Sequence, residues 1–156
     1  MSEFGEIGDD LARIAKALER SKTQFQIEGT NAVIADISER IHQRGLNSNG
    51  RKIGTYDPNY AKKRRDGITY GDGTTYKGLR TDRVDLQVSG DLEASLIAGR
   101  SGRNVVGGIA GEQQVKKAQG QEERYGEIWK PSKTEVKAGE KAFLRTIDAV
   151  IIDALG

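Results

Sequence analysis

Tyrosine and basic side chains are concentrated in one stretch of the chain, and these residue types bind other molecules. Residues 46–83 hold four of the five tyrosines. Residues 51–83 hold nine basic and four acidic side chains, a net charge of +5, whereas the whole chain carries +2. Tyrosine and arginine supply large contact areas and several hydrogen bonds at protein interfaces. The candidate binding residues of this stretch are Tyr56, Tyr60, Lys62, Lys63, Arg64, Arg65, Tyr70 and Tyr76.

Three interpretations of this Tyr-rich basic stretch follow from its composition. It can order against a neighbouring subunit, because a large and repeated contact offsets the entropy lost on ordering a long loop. It can bind nucleic acid, with bases stacked on the rings and phosphates neutralised by Lys or Arg. It can also be a solvated surface loop without a partner. The first interpretation predicts a protein interface, and it implies that deleting residues 51–83 leaves a folded monomer.

The side chains that most often carry catalysis are scarce. The chain contains no cysteine, which excludes thiolate nucleophiles, thiolate zinc sites and disulfides. Its single histidine, His42, precedes Gln43 and Arg44 and is predicted to be solvated at a helix end. The glycine-rich residues 99–108 lack the spacing of a dinucleotide-binding loop and the Lys-Ser/Thr of a P-loop, so they predict a hairpin. We therefore expect no catalytic residue, no cofactor and no metal site.

Trp129, the only tryptophan, lies in a non-periodic link before the last predicted helix. It can pack beneath that helix as a core residue, or it can anchor a subunit interface, where tryptophan is enriched. Trp129 is therefore a further candidate interface residue.

The elements that must position these residues begin with two predicted helices. Apolar residues recur at helical spacing from Ile7, and Ser21 to Gln24 fits a capping box, so we expect an antiparallel hairpin of helices over 7–20 and 22–44. Gly45 is well placed as the left-handed residue that ends the second helix. Residues 1–45 are thus predicted to form a helical hairpin.

The rest of the chain predicts an extended loop followed by mixed elements. Residues 46–83 contain few large aliphatic side chains, so we expect a long projecting loop without a core of its own. Residues 84–88 alternate as a half-buried strand does, and a short helix capped by Ser89 or Gly90 follows. A hairpin over 97–110 and helices over 112–125 and 133–155 complete the prediction. The fold class is α/β (α+β): one domain, 1–156, with helices on a small, mainly antiparallel sheet.

The termini and hydropathy bear on location. The first ten residues are acidic and lack the basic and apolar regions of a secretory signal. No apolar run approaches the roughly 20 residues that a membrane span needs. We expect a soluble protein made in the cytoplasm, with no membrane contact.

Two segments carry a resemblance to a known family. Residues 54–64 form a Tyr-containing segment that ends in basic residues. Residues 86–96 fit the pattern Leu-x-x-(Ser/Thr)-Gly-x-Leu-x-x-Ser-(Leu/Ile) at each position. A glycine-rich hairpin, the link Tyr125-Gly126, Pro131 and a final helix follow in the same order. In this order the features resemble the virion-morphogenesis and tail-completion proteins of tailed bacteriophages and prophages.

The resemblance implies a structural virion protein without catalysis. Such a protein is made in the cytoplasm of a bacterial host and forms an oligomeric ring, a hexamer or dodecamer, at the head-tail neck or the head-proximal end of the tail. Neighbouring neck, connector or tail-tube proteins are the expected partners, and DNA passing through the lumen is a further one. Tail terminator, head-tail connector and assembly factor all remain open. The alternative function is a nucleic-acid-binding module that uses the Tyr-rich basic stretch.

Overall fold

The computed structural model describes residues 3–156, with side chains from residue 6 onward. Helices account for 58% of the chain and the sheets are two small antiparallel pairs of strands, so the predicted mixed α/β class is confirmed. In chain order the elements are α1 Glu3–Ser38, a π-helical turn Glu39–Gln43, α2 Pro58–Asp66, β1 Ile68–Thr69, β2 Thr75–Tyr76, α3 Asp91–Ala94, β3 Leu96–Ser101, β4 Asn104–Ile109, α4 Glu112–Tyr125 and α5 Lys133–Leu155.

The chain divides into two compact units, and neither is a continuous segment. The first unit comprises residues 1–34, 98–107 and 133–156. The second comprises residues 35–97 and 108–132. The helix α1 therefore contributes most of its length to the first unit and its last turn to the second.

The predicted hairpin of two N-terminal helices is wrong, because α1 is continuous from Glu3 to Ser38. Ser21 lies in the middle of this helix and caps nothing. The apparent interruption at Gly29-Thr30 is compatible with a helix, since the Thr30 hydroxyl donates to the Gln26 carbonyl one turn earlier, at 2.7 Å. A capping-box sequence starts a helix only where the backbone also changes direction. Here apolar residues recur at helical spacing on both sides of the capping box, so the helix continues.

The core of the first unit forms where α1 crosses α5. A Cβ atom placed on Gly139 would lie 2.5 Å from Val33 Cγ2 and 2.8 Å from the Gly29 carbonyl oxygen, so the two backbones touch at this point. Phe25 is buried beside the crossing, and its ring meets that of Phe143 edge-on at 6.0 Å. Two glycines thus replace side chains at the closest approach of the two helices.

In the second unit, an arginine of the π-helical turn joins three segments. Arg40 is buried, and its guanidinium donates to the carbonyl oxygens of Leu46, Ile128 and Lys130 at 3.0 to 3.2 Å. Gly45 has φ +65°, which confirms the predicted left-handed end of this helical region. The unit has its apolar core between these segments: Ile37, Ile41, Ile53, Tyr56, Val84, Leu92, Ala118 and Ile128.

Residues 46–83 contain more ordered structure than the sequence predicts. The helix α2 starts after Asp57, whose carboxylate accepts from the backbone N–H groups of Asn59 and Tyr60. The strands β1 and β2 pair antiparallel, with Ile68 opposite Tyr76. The expectation of a loop without a core of its own is corrected, because buried Tyr56 and Arg64 supply the packing that aliphatic residues do not.

The strand predicted over residues 84–88 does not form. Leu86 has φ +53°, a left-handed conformation that interrupts an extended backbone. The N–H groups of Asp85 and Leu86 donate to the Tyr56 hydroxyl, both at 3.2 Å, instead of to a neighbouring strand. The alternation of apolar and polar residues around Asp85 therefore reflects a buried polar contact and not a strand with one solvent-exposed face.

The C-terminal predictions are confirmed in type and position. The strands β3 and β4 form the hairpin expected over 97–110, and α4 and α5 match the helices expected over 112–125 and 133–155. The short helix α3 follows Gly90, which has φ +83°. Across residues 3–156, none of the helices is long and apolar enough to cross a membrane.

Candidate functional site

An ion pair lies at the centre of the second unit. Arg64 is 1% exposed, and its Nη2 atom donates to Asp85 Oδ1 at 2.7 Å. The Nε and Nη1 atoms of the same guanidinium donate to the carbonyl oxygens of Arg80 and Gln87, at 2.8 and 3.0 Å. Because a buried charge is tolerated only when it is paired and hydrogen-bonded, this arrangement fixes α2 against residues 80–87.

Tyr56 completes this network by donating to the same carboxylate oxygen as Arg64. Its hydroxyl donates to Asp85 Oδ1 at 2.8 Å, and its ring faces the Arg64 guanidinium carbon, 4.4 Å from the ring centroid. Burial, and then the hydrogen bond to Asp85, raises the pKa of Tyr56 above its ordinary value. The hydroxyl therefore stays protonated and acts as a fixed hydrogen-bond donor to Asp85.

His42 is buried, which corrects the prediction of a solvated helix-end residue. It is 1% exposed, and its Nδ1 atom lies 2.7 Å from the Asp85 carbonyl oxygen. A carbonyl oxygen only accepts, so Nδ1 carries a proton and donates to it. Within the described residues Nε2 has no hydrogen-bond partner.

A cleft of about 330 Å³ opens beside this network, within the size range of small-molecule and peptide sites. We call it the tyrosine cleft. Tyr60 and Tyr70 remain 38% and 42% exposed at its walls. Its lining residues are His42, Tyr56, Tyr60, Arg64, Tyr70, Leu86, Gln87, Val88, Ser89, Gly90, Leu92, Glu93, Lys117, Gly120, Gln121, Arg124 and Tyr125.

The walls of the tyrosine cleft differ in what they offer a ligand. On the α4 side, Lys117 and Arg124 are exposed cations. The Glu93 carboxylate is already engaged, since it accepts from the Ser38 hydroxyl at 2.6 Å and from the Gln87 amide at 2.7 Å. Two lining residues each have a buried polar atom with no hydrogen-bond partner among the residues described, His42 Nε2 and Gln121 Oε1. A fitting ligand would present an N–H donor, a flat surface and a negative charge.

The structure brings only some of the predicted binding residues together. Tyr56, Tyr60, Arg64 and Tyr70 line the tyrosine cleft, although Tyr56 and Arg64 are buried in its floor network. Tyr76 stands behind Tyr70, with the ring centroids 5.8 Å apart. The predicted residues that are exposed on α2 outside the cleft lining are Lys62, Lys63 and Arg65.

Trp129 lies beside the floor network instead of in the cleft lining. Its ring centroid is 6.2 Å from that of His42, and the side chain is partly buried. The Nε1 atom is buried without a hydrogen-bond partner in the described part of the chain. Its backbone N–H donates to Glu122 Oε1 at 3.0 Å, which holds the link after α4 in place.

Sequence reasoning missed the α4 wall and the centre of the network. The sequence pattern places Asp85 in a predicted strand, and Gln121, Arg124 and Tyr125 are not among the candidate binding residues. The available signal is Asp85 itself. A carboxylate between Val84 and Leu86 lies either on the solvent-exposed face of a strand or in the core as the partner of a buried cation. Choosing between these requires the position of Arg64, which is 21 residues away.

The site shows no metal centre among the described residues, where no group of three or more His, Cys, Asp or Glu side chains could hold an ion. Comparison with family models, with curated proteins and with solved structures gives no match to this chain. The resemblance to tailed-phage virion proteins therefore remains a prediction from the two sequence segments.

Proposed function

We propose that this protein is a structural virion protein of a tailed bacteriophage or prophage, forming a ring at the head-tail neck or the head-proximal end of the tail. Two sequence segments support this proposal, one at residues 54–64 and one at residues 86–96. Both contribute to the tyrosine cleft, the first through Tyr56, Tyr60 and Arg64 and the second from Leu86 onward. The resemblance and the candidate site thus involve the same residues.

The observation that carries the proposal is the rigid, preformed wall of the tyrosine cleft. Tyr60 packs edge-on against buried Tyr56 at 5.3 Å, and Tyr70 against Tyr76 at 5.8 Å, so the two half-exposed rings are held in place. Aromatic anchors fixed in advance lose little entropy on binding. A peptide segment supplies an N–H donor for Gln121 Oε1, and an acidic side chain matches Lys117 and Arg124. A segment of a neighbouring virion protein, in the same ring or the next one, is the occupant that fits.

Oligomeric mass tests the ring. We expect purified protein to give a discrete ring in mass photometry and negative-stain images across a range of concentrations. The variant carrying Tyr60→Ala and Tyr70→Ala should lose attachment to isolated phage heads or tails in a sedimentation assay. Lys116→Ala, on α4 outside the cleft lining, is the matched control and should bind as the wild type does. A monomer that joins neither heads nor tails would disprove the proposal.

A second candidate, nucleic-acid binding, is supported by one surface of α2. Lys62, Lys63 and Arg65 are all exposed there, two to five residues after Tyr60. Cations beside an open aromatic ring suit a single strand, and their contribution weakens steeply with salt. Replacing these three residues by Gln separates the candidates in an anisotropy titration with a fluorescent thymidine oligonucleotide. Salt-sensitive binding that the replacement abolishes favours this second function, whereas unchanged attachment to heads or tails favours the first.

A further inference from the structure

Large apolar side chains remain exposed on the two long helices of the first unit. On α1, Ile7 and Leu11 are 55% and 61% exposed. On α5, Leu144 is 58% exposed. Single exposed apolar residues are ordinary on protein surfaces, but Ile7 and Leu11 stand beside acidic side chains and Leu144 beside mainly basic ones.

The pairing of the two helices explains why Ile7 and Leu11 are uncovered. Phe25 contacts Phe143, and Val33 lies next to Gly139, so the helices run antiparallel. If each further residue of α1 is matched with one residue of α5 in this register, Leu155, the last residue of α5, lies opposite about residue 13 of α1. The first ten residues of α1 thus extend past the end of α5, a length of about 15 Å at 1.5 Å per residue.

The overhanging end of α1 is acidic. Glu6 and Asp10 are four residues apart, as are Ile7 and Leu11, so the two pairs form adjacent stripes on one side of the helix. The helix N-terminus also carries a partial positive charge that stabilises these acids locally. This overhang, residues 3–12, is therefore an apolar stripe flanked by carboxylates.

The exposed face of α5 has the opposite charge. Lys137, Lys141, Leu144 and Arg145 follow one another at spacings of four, three and one, which places them on a single face. All four are exposed. Glu140 and Asp148 are acids on this face, one turn before and one turn beyond Leu144. The half of α5 from Lys137 to Arg145 thus carries three cations and one acid around Leu144, a net charge of +2.

We propose that the overhang of one copy docks on the Lys137–Arg145 face of the next copy. Ile7 and Leu11 would cover Leu144, and Glu6 and Asp10 would meet Lys137 and Lys141. The two surfaces are different patches of the same chain, so the contact is head-to-tail, and repeated contacts of this kind close into a ring when the rotation allows it. This inference rests on the proposed ring-forming function and names the surfaces that would build the ring.

Complementary knockouts test the contact. One variant carries Ile7→Ser and Leu11→Ser, and a second carries Leu144→Ser. Because these side chains are exposed, circular dichroism and thermal unfolding should match the wild type. Each variant alone should be monomeric in sedimentation velocity, since every contact then lacks one surface. An equimolar mixture should give heterodimers and nothing larger, because the intact overhang of the second variant meets the intact α5 face of the first.

Charge exchange tests the register of the same contact. The variant with Glu6→Lys and Asp10→Lys, and the variant with Lys137→Glu and Lys141→Glu, should each lose assembly. Combining all four substitutions in one chain should restore rings. At equal protein concentration, the assembled mass should be at least tenfold greater than that of either double variant. Ile97→Ser, an exposed apolar residue of the second unit, is the control and should assemble normally.

The outcomes separate this inference from the proposed function. If the wild type forms rings and the overhang and α5 variants form them equally well, the inference is wrong and the ring-forming function stands. A mixture that contains only monomers would also contradict a head-to-tail contact through these surfaces. If the wild type itself is monomeric at all concentrations tested, both the ring and its proposed contact fail.

Discussion

Asp85 is the residue on which the second unit depends most. Its Oδ1 atom accepts from Arg64, from the Tyr56 hydroxyl and from the Gln87 backbone N–H, and its carbonyl accepts from His42. Four separate parts of the chain therefore meet at one residue. Loss of any charged member leaves another charge buried without a partner, which is costly in a low-dielectric interior.

Arg64→Gln should destabilise the protein by about 3 to 5 kcal/mol, because it leaves the Asp85 carboxylate buried and unpaired. Arg65→Gln is the matched control, since Arg65 is the next residue, has the same charge and is exposed. We expect its free energy of unfolding to lie within about 0.5 kcal/mol of the wild type. Urea unfolding followed by circular dichroism measures both. Equal midpoints for the two variants would contradict the central role of this ion pair.

The raised pKa of Tyr56 predicts a loss of stability at alkaline pH. In the unfolded chain the hydroxyl ionises near its ordinary pKa of 10.0, whereas burial and the bond to Asp85 keep it protonated in the folded protein. The unfolded state therefore binds fewer protons above pH 10, and folding stability falls by about 1.4 kcal/mol for each further pH unit. Below pH 10 this contribution is fully present.

Urea midpoints at pH 8.5 and pH 10.5 measure that loss. Tyr56→Phe should be less stable than the wild type at pH 8.5, because it removes the hydrogen bonds of the hydroxyl. Its further decrease between the two pH values should be smaller than that of the wild type. A decrease of the same size in both proteins would exclude Tyr56 as its source.

At the scale of elements, glycine positions decide how helices pack. Gly29 and Gly139 allow α1 and α5 to touch, while Gly120 in α4 has open space where a Cβ would lie. The sequence pattern treats all three as helix-weakening residues of equal cost. Only the neighbouring helix distinguishes a glycine needed for close approach from one that is merely tolerated.

Gly139→Ala should therefore destabilise the first unit by about 1 to 3 kcal/mol, because the new methyl group would push Val33 and the Gly29 backbone away. Gly120→Ala is the control and should stabilise the protein by up to about 1 kcal/mol, as alanine is the better helix former. Thermal unfolding of the two variants beside the wild type gives both values. A stabilising Gly139→Ala would show that the two helices are not in close contact.

At the scale of the whole molecule, both units are built from segments far apart in sequence. The second unit takes its floor network from residues 42, 56, 64 and 85, and its outer wall from α4. Residues 46–83 are consequently part of the folded unit and are not a dispensable loop.

Deletion of residues 51–83 should unfold the second unit, contrary to the expectation from sequence of a folded monomer. The deletion removes Tyr56 and Arg64 and leaves the buried Asp85 carboxylate without these partners. Far-ultraviolet circular dichroism and limited proteolysis should show loss of α4 protection, while α1 and α5 keep the contacts between them. A cooperative unfolding transition equal to that of the full chain would contradict this prediction.

The sequence by itself determined the elements whose signals are local. Helical spacing identified α4 and α5, and turn residues identified the β3–β4 hairpin. Gly45 marked the left-handed end of a helical region, and Gly90 was one of two candidate caps of α3. It also located most of the tyrosines and cations that line the cleft. These signals lie within a few residues of one another, so no knowledge of distant neighbours is needed to interpret them.

Tertiary structure alone decided the left-handed Leu86 and the burial of His42, Arg64 and Asp85. Each depends on a partner more than 20 residues away, such as Asp85 for Arg64 or Asp85 for His42. A polar residue has the same local pattern whether it faces water or a buried counter-charge. The physical reason is that the free energy of burying a charge is set by its partner in space, and the order of residues does not specify which partner that is.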